Sequence, residues 1–200
     1  MKKIAIAAAS VALLAACASS KMAENAPKDG EVGMPSNYQS WPVFVSGIEK
    51  SSGHIRDIYI NQEGTKTKKG ENFPNGTQFV MEIYKADKGT DGKLSKTQLE
   101  KVFVMAKGEG WGVSAPEGMK NGDWIYSAFD GKGQALKPDY GTCRGCHLPL
   151  TDKDYVFHYD KYFDMKASLD SPSYADMLSA HAGMVALNNA EATQASALLQ

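Results

Sequence analysis

An α+β fold built mainly on one antiparallel β-sheet is what this sequence predicts, on three observations. Segments of β-rich, often alternating composition follow one another along the chain. Each is bounded by Gly, Pro, Asn or Asp, and no regular strand–helix alternation separates them. The 200 residues suffice for one domain with a sizeable core. With 22 basic and 23 acidic residues the net charge is −1. That balance offers no basic stripe for nucleic acid and little steering of a highly charged partner.

The elements follow in chain order. Met1-Lys2-Lys3 is basic, and Ile4 to Ala16 is apolar but too short to span a bilayer. The ending Leu14-Ala15-Ala16-Cys17 resembles a bacterial lipoprotein signal, which implies cleavage before Cys17 and lipidation of Cys17. More than one acyl chain gives stable anchoring. Ala18 rather than Asp follows, resembling lipoproteins sent to the outer membrane. The alternative is an ordinary secretory signal with an incidental Cys. Either route takes the chain out of the cytoplasm, to the periplasmic side of the cell envelope. Residues 1–16 are thus expected as signal peptide, and 17–36, poor in apolar residues, as a flexible lipidated tether.

The globular part is expected over residues 37–165, opening with a short helix or turn that packs Tyr38 and Trp41. Strands are expected at His54–Ile60, Thr77–Tyr84, Leu99–Ala106 and Asp123–Phe129. In the second, Phe79, Met81 and Ile83 share one face, with Val80, Glu82 and Tyr84 on the other. Phe73-Pro74-Asn75-Gly76 is a tight turn, Lys88 to Gly92 sits in a hairpin connection, and Asn121-Gly122 precedes the last strand. Residues 166–200 are Ala-rich; a helix from about Ser173 to Leu187 and a disordered tail both fit them.

Beyond the last strand lies Cys143-Arg144-Gly145-Cys146-His147, a Cys-x-x-Cys-His motif of the kind that attaches a c-type haem. Each thiol can add to one vinyl group of the porphyrin, and the neighbouring imidazole can ligate iron. A zinc site would want a second pair of ligands. Cys17 is the third cysteine, and His54, His158 and His181 form no His-x-x-x-His pair. A redox dithiol would want a βαβ context and no adjacent His. The expected architecture is therefore a mainly antiparallel sheet with a few short helices packed around one covalently bound haem c.

Ile58-Tyr59-Ile60-Asn61, Phe73-Pro74-Asn75-Gly76-Thr77, Gly122-Asp123-Trp124, the Cys143–His147 motif and Asp154-Tyr155-Val156-Phe157 follow in an order that resembles the cytochrome P-460 family. The resemblance covers about residues 38–164. It implies a mainly antiparallel β fold, one c-type haem, His147 as proximal iron ligand, an open distal face and often a homodimer. It also marks a departure. The position of the lysine that cross-links to the haem in hydroxylamine-oxidising members falls on Met81. A thioether cannot replace that amine nucleophile. Lys85 lies four residues on, roughly 13 Å along a strand. For the distal carboxylate of those members, the weak candidate is Glu109.

Met81 then has three readings: a distal thioether ligand of an electron carrier, a distal-wall residue, or a core methionine. Phe79, Phe103, Tyr59 and Trp124 can line an apolar pocket open to a small neutral gas, or can simply be core aromatics. Arg56 suits a haem propionate, or a surface salt bridge. Glu82 reads as a hydrogen-bonded strand residue, less well as a general base. His54 and His158 can in principle reach iron, though satisfied surface histidines are commoner. The partners expected are a small-molecule ligand or a redox protein, and a membrane through the lipid.

Overall fold

The computed structural model of the chain describes residues 26–171. Cys17, the expected signal segment and the expected helix at Ser173–Leu187 lie outside the described residues. The chain divides into two units, one ending at His158 and one beginning at Tyr159. The expected haem domain runs to residue 165, within the helix of the second unit. The second unit contains helix α2 (Tyr159–Leu169), along which the Phe163 ring meets those of Tyr159 and Tyr162; α1 belongs to the first unit and is defined below. Among the described residues no helix is long and apolar enough to cross a membrane.

The first unit is built on one six-stranded antiparallel sheet whose strands neighbour one another in chain order. They are β1 (Val43–Lys50), β2 (His54–Ile60), β3 (Gln78–Lys88), β4 (Leu94–Lys107), β5 (Trp124–Asp130) and β6 (Ala135–Leu136). Helix α1 (Tyr140–His147) follows. The four expected strands are all present, and β2 keeps its expected bounds. Residues Tyr38–Ser40 form the expected turn, a short 3-10 helix that buries Tyr38.

Two strands are additional. β1 hides from pattern reading because its register shifts twice, between Val43 and Val45 and between Val45 and Ile48. Gly47 sits there at φ +65, and its N–H donates to the Asp57 side chain at 2.9 Å. Such bulges break the period-2 alternation. β6 has only two residues. The β3–β4 hairpin also runs longer than expected, with strands of 11 and 14 residues. Its outer half, around Lys85–Lys88 and Leu94–Gln98, is polar, so backbone pairing rather than an apolar face extends it.

The register sorts the side chains onto two faces as expected. On one, Val80, Val102, Val104, Ala106, Ile125 and Phe129 form a core with Tyr38. Val32, Met34, Trp41 and Trp111 pack around it. Glu82 lies on this face, 1% exposed. Its carboxylate accepts hydrogen bonds from the hydroxyls of Tyr38 (2.8 Å), Tyr84 (2.9 Å) and Tyr59 (3.2 Å). It is a caged structural acceptor, with Tyr59 drawn to it and away from the other face.

The tether expectation is corrected for residues 26–36. Gly30 N–H donates to the Tyr126 carbonyl at 2.7 Å, and Tyr126 N–H donates to Asp29 at 3.0 Å. Asp29 also takes two bonds from the buried Arg144 guanidinium, 2.7 and 3.0 Å. The polar composition that suggested a loose segment is instead consumed in specific bonds.

Candidate functional site

The opposite sheet face builds the site. One end is closed by an aromatic cluster in which Phe79 meets Phe44 at 4.8 Å, Phe73 at 5.1 Å and Trp124 at 5.7 Å. Phe79 and Trp124 are thus enclosed by neighbouring rings and act as core. Further along the face, Ile58 pairs with Met81, Met81 with Phe103, and Phe103 with Ala128. This row draws one side chain from each of four strands. Ile58, Met81 and Phe103 are only half-buried. One step outward, Arg56 pairs with Ile83 and Ile83 with Lys101. Two cations therefore flank Ile83 on this face, roughly 9–10 Å apart at two strand spacings. Arg56 Nε is buried without a hydrogen-bond partner among the described residues.

Helix α1 carries the motif. Asp139 caps it, its side chain accepting the Gly141 N–H at 2.9 Å. The i, i+3 spacing puts the Cys143 and Cys146 thiols on one side, and both are free. Burial pushes the Cys143 thiol up from its ordinary pKa, with the Asp29 and Asp139 charges adding to it. Arg144, between the cysteines, is buried on Asp29 and lies 5.5 Å over the Tyr126 ring. Its backbone carbonyl accepts from Asn121 Nδ2 at 3.2 Å.

His147 ends the helix. Its ring lies 5.3 Å from that of Tyr126, on the same sheet face as Met105 and Met81, and 4.9 Å from Phe157. Burial holds its pKa below the usual histidine value, so it favours the neutral imidazole that metals require. Nδ1 lies 2.7 Å from the Tyr155 carbonyl. A carbonyl only accepts, so Nδ1 carries the proton and Nε2 is the nitrogen left to a metal.

The chain after α1 wraps into a cup that presents this carbonyl. Leu150 N–H returns to the His147 carbonyl at 3.0 Å, and Tyr155 N–H to the Leu150 carbonyl at 2.7 Å. Asp154, Tyr155 and His158 all adopt positive φ, at 49°, 62° and 63°. Non-glycine residues rarely hold that conformation unless surrounding contacts impose it.

The residues present fit a haem. The donor set is one oriented imidazole and two thiols on the helix that carries it. A half-exposed apolar row and an unpartnered buried guanidinium nitrogen stand on the adjoining sheet face. Among the described residues, no three of His, Cys, Asp or Glu cluster to hold a bare metal ion. The other predicted residues fall elsewhere. Glu109 is exposed in the turn after β4, two residues beyond the strand that carries Phe103. His54 is engaged through both ring nitrogens, at 2.9 Å to Ser52 and 2.8 Å to Glu100, so it does not reach the site. Lys85 is exposed at the His54 end of β3.

Sequence reading gives no role to Asp29, Lys101, Lys107 or Asp154, although Asp154 stands in one of the family motifs. The signal for Lys101 was present: it stands two residues before Phe103 on the same strand, hence on the same face. Asp29 is 115 positions from Arg144, and no local pattern joins them.

Comparison with curated proteins gives no match. A family model described as Cytochrome P460 matches residues 35–158, more than half of the chain. The match ends where the first structural unit ends. The haem-compatible face, the oriented His147 and this match agree with the resemblance drawn from the motifs: the chain belongs to the cytochrome P460 family, whose cofactor is a haem.

Proposed function

We propose that this chain is a monohaem c-type cytochrome that binds a small neutral diatomic ligand, such as nitric oxide, or passes single electrons. The haem would be bonded to Cys143 and Cys146, with its iron on His147. When bound, the haem supplies an iron centre able to take up one electron or one small ligand. The protein's own residues do the remaining work. The Tyr155 carbonyl holds the His147 tautomer. Ile58, Met81, Phe103 and Ala128 offer a floor without charge, which disfavours anions. Arg56 and Lys101 suit the two propionates. Lipid on Cys17 would tether the protein on the periplasmic side of the cell envelope.

The observation that carries this reading is His147 itself, half-buried, oriented through Nδ1 and preceded on its helix by two free thiols. Met81 at the cross-link position supports an unmodified haem over the hydroxylamine-oxidising alternative. The test is a haem stain on denatured protein matured in a cytochrome-assembling host, followed by an absorption spectrum with and without nitric oxide. An ordinary c-type haemochrome that shifts with nitric oxide is expected. A band at anomalously long wavelength would replace this reading with the lysine-modified one. A second reading makes Met81 the sixth ligand of an electron shuttle, favoured by its half-exposed place on this face. Under it, Met81→Ala converts low-spin iron to high-spin; an unchanged spectrum eliminates it.

A further inference from the structure

An ion pair outside the haem motif involves the residue just before Tyr155, whose carbonyl faces His147. Lys107, the last residue of β4, is 11% exposed at its side chain, and Asp154 is 5%. Lys107 Nζ donates to Asp154 Oδ2 and to the Phe73 carbonyl, both at 2.8 Å. Phe73 N–H donates to the same Asp154 oxygen at 2.9 Å. The three groups close a ring between Phe73, Lys107 and Asp154. Lys107 also stands 5.4 Å over Trp124, which ties the ring to the aromatic core. Asp154 directly precedes Tyr155 and shares its left-handed backbone. Local preference would relax both residues, so the ring on Asp154 is what keeps the next carbonyl facing His147.

We propose that Lys107 and Asp154 are positioning residues for the proximal ligand, setting the strength of the His147 Nδ1–H bond and through it the electron density at iron. The inference rests on His147 being that ligand. A carbonyl acceptor on Nδ1 makes the imidazole a better donor and favours the oxidised metal. Loosening the ring weakens that bond, so the reduction potential rises.

The experiment uses the holoprotein with Lys107→Met, the isosteric Asp154→Asn, the rescue variant Lys107→Arg, and Asp57→Asn as a control. Asp57 is paired with Lys96 on the opposite sheet face, so its loss probes stability without touching the cup. Two quantities are read: the reduction potential, and the hydrogen exchange of the His147 Nδ1 proton by NMR in the cyanide-bound form. Lys107→Met and Asp154→Asn should each speed that exchange at least tenfold. They should shift the redox equilibrium about tenfold towards the reduced state, about 59 mV for one electron. Lys107→Arg should recover most of both, and Asp57→Asn should change neither. If both variants lose thermal stability as the control does while exchange and potential stay at parent values, the pair is merely structural and the inference is overturned. A parent protein with no iron-shifted His147 imidazole signals overturns the ligation reading instead.

Discussion

Asp29→Ala is predicted to be among the most destabilising single changes outside the hydrophobic core, although it lies far from the sheet's apolar face in sequence. Arg144 is 1% exposed and spends two hydrogen bonds on Asp29, at 2.7 and 3.0 Å. Its contact with the Met119 carbonyl is long, 3.4 Å, and cannot take over. Removing one partner of a buried pair leaves an uncompensated charge and costs roughly 3–5 kcal/mol. Tyr126 N–H also loses its acceptor, about 1 kcal/mol more. Asp29 keeps 17% of its side chain in contact with solvent, which allows water to reach part of the gap, so the lower end, about 3–4 kcal/mol, is expected. That is a large share of the roughly 5–15 kcal/mol by which domains are stable. At about 2–4 °C per kcal/mol it lowers the melting temperature by about 10 °C. Far-ultraviolet circular dichroism on the holoprotein measures it. Asp29→Asn, which keeps one acceptor, should cost less than Asp29→Ala. The double variant Asp29→Leu with Arg144→Met should recover much of the loss, because replacing both charges by apolar groups is often neutral. A single alanine variant that melts within about 2 °C of the parent refutes the reasoning, as does a double variant no better than the single.

The tyrosine cage sets an alkaline limit. Burial, then the Glu82 charge, pushes Tyr59 up to about 12, and burial with the Glu82 hydrogen bond raises Tyr38 and Tyr84 too. Unfolded tyrosine ionises near ~10, so over that window the folded state holds protons the unfolded state has lost. Stability is full below pH ~10 and falls as pH rises towards 12; denaturant midpoints across the range check it, and midpoints that stay level up to pH ~12 would contradict it. Glu82→Gln leaves one amide oxygen to accept from three phenols and should cost about 1–3 kcal/mol, while lowering the pH at which Tyr59 ionises. Gly112→Ala would put a Cβ 1.9 Å from the Gly122 carbonyl oxygen. Backbone must then move, and a loss of at least 1–3 kcal/mol in chemical denaturation is expected; unchanged stability would mean the Gly108–Gly122 segment yields freely.

What could be read from sequence was what repeats or clusters locally. Alternation in Phe79–Tyr84 assigned both faces correctly, and Cys143–His147 marked the candidate site without any long-range information. β1 escaped because a bulge at Gly47 breaks its period. The tether reading failed past residue 25 because polarity was taken as a sign of looseness. Asp29 is polar since it meets Arg144, a partner only folding supplies. Glu109 was chosen as the nearest carboxylate in the chain, and it stands in the exposed turn after β4. Lys107, two residues away, turned out to matter through Asp154, 47 positions on.

Met81 and Glu82 are neighbours in the chain with incompatible destinations, one a soft uncharged surface, the other a nest of hydroxyls. A slip of β3 by a single residue would exchange them, delivering a negative charge to the apolar row and a sulfur atom to three unsatisfied phenols. The cage around Glu82 therefore acts as a lock on alignment for the other side of the sheet. Redesign of the Met81 surface can proceed only while those three hydroxyls keep their acceptor.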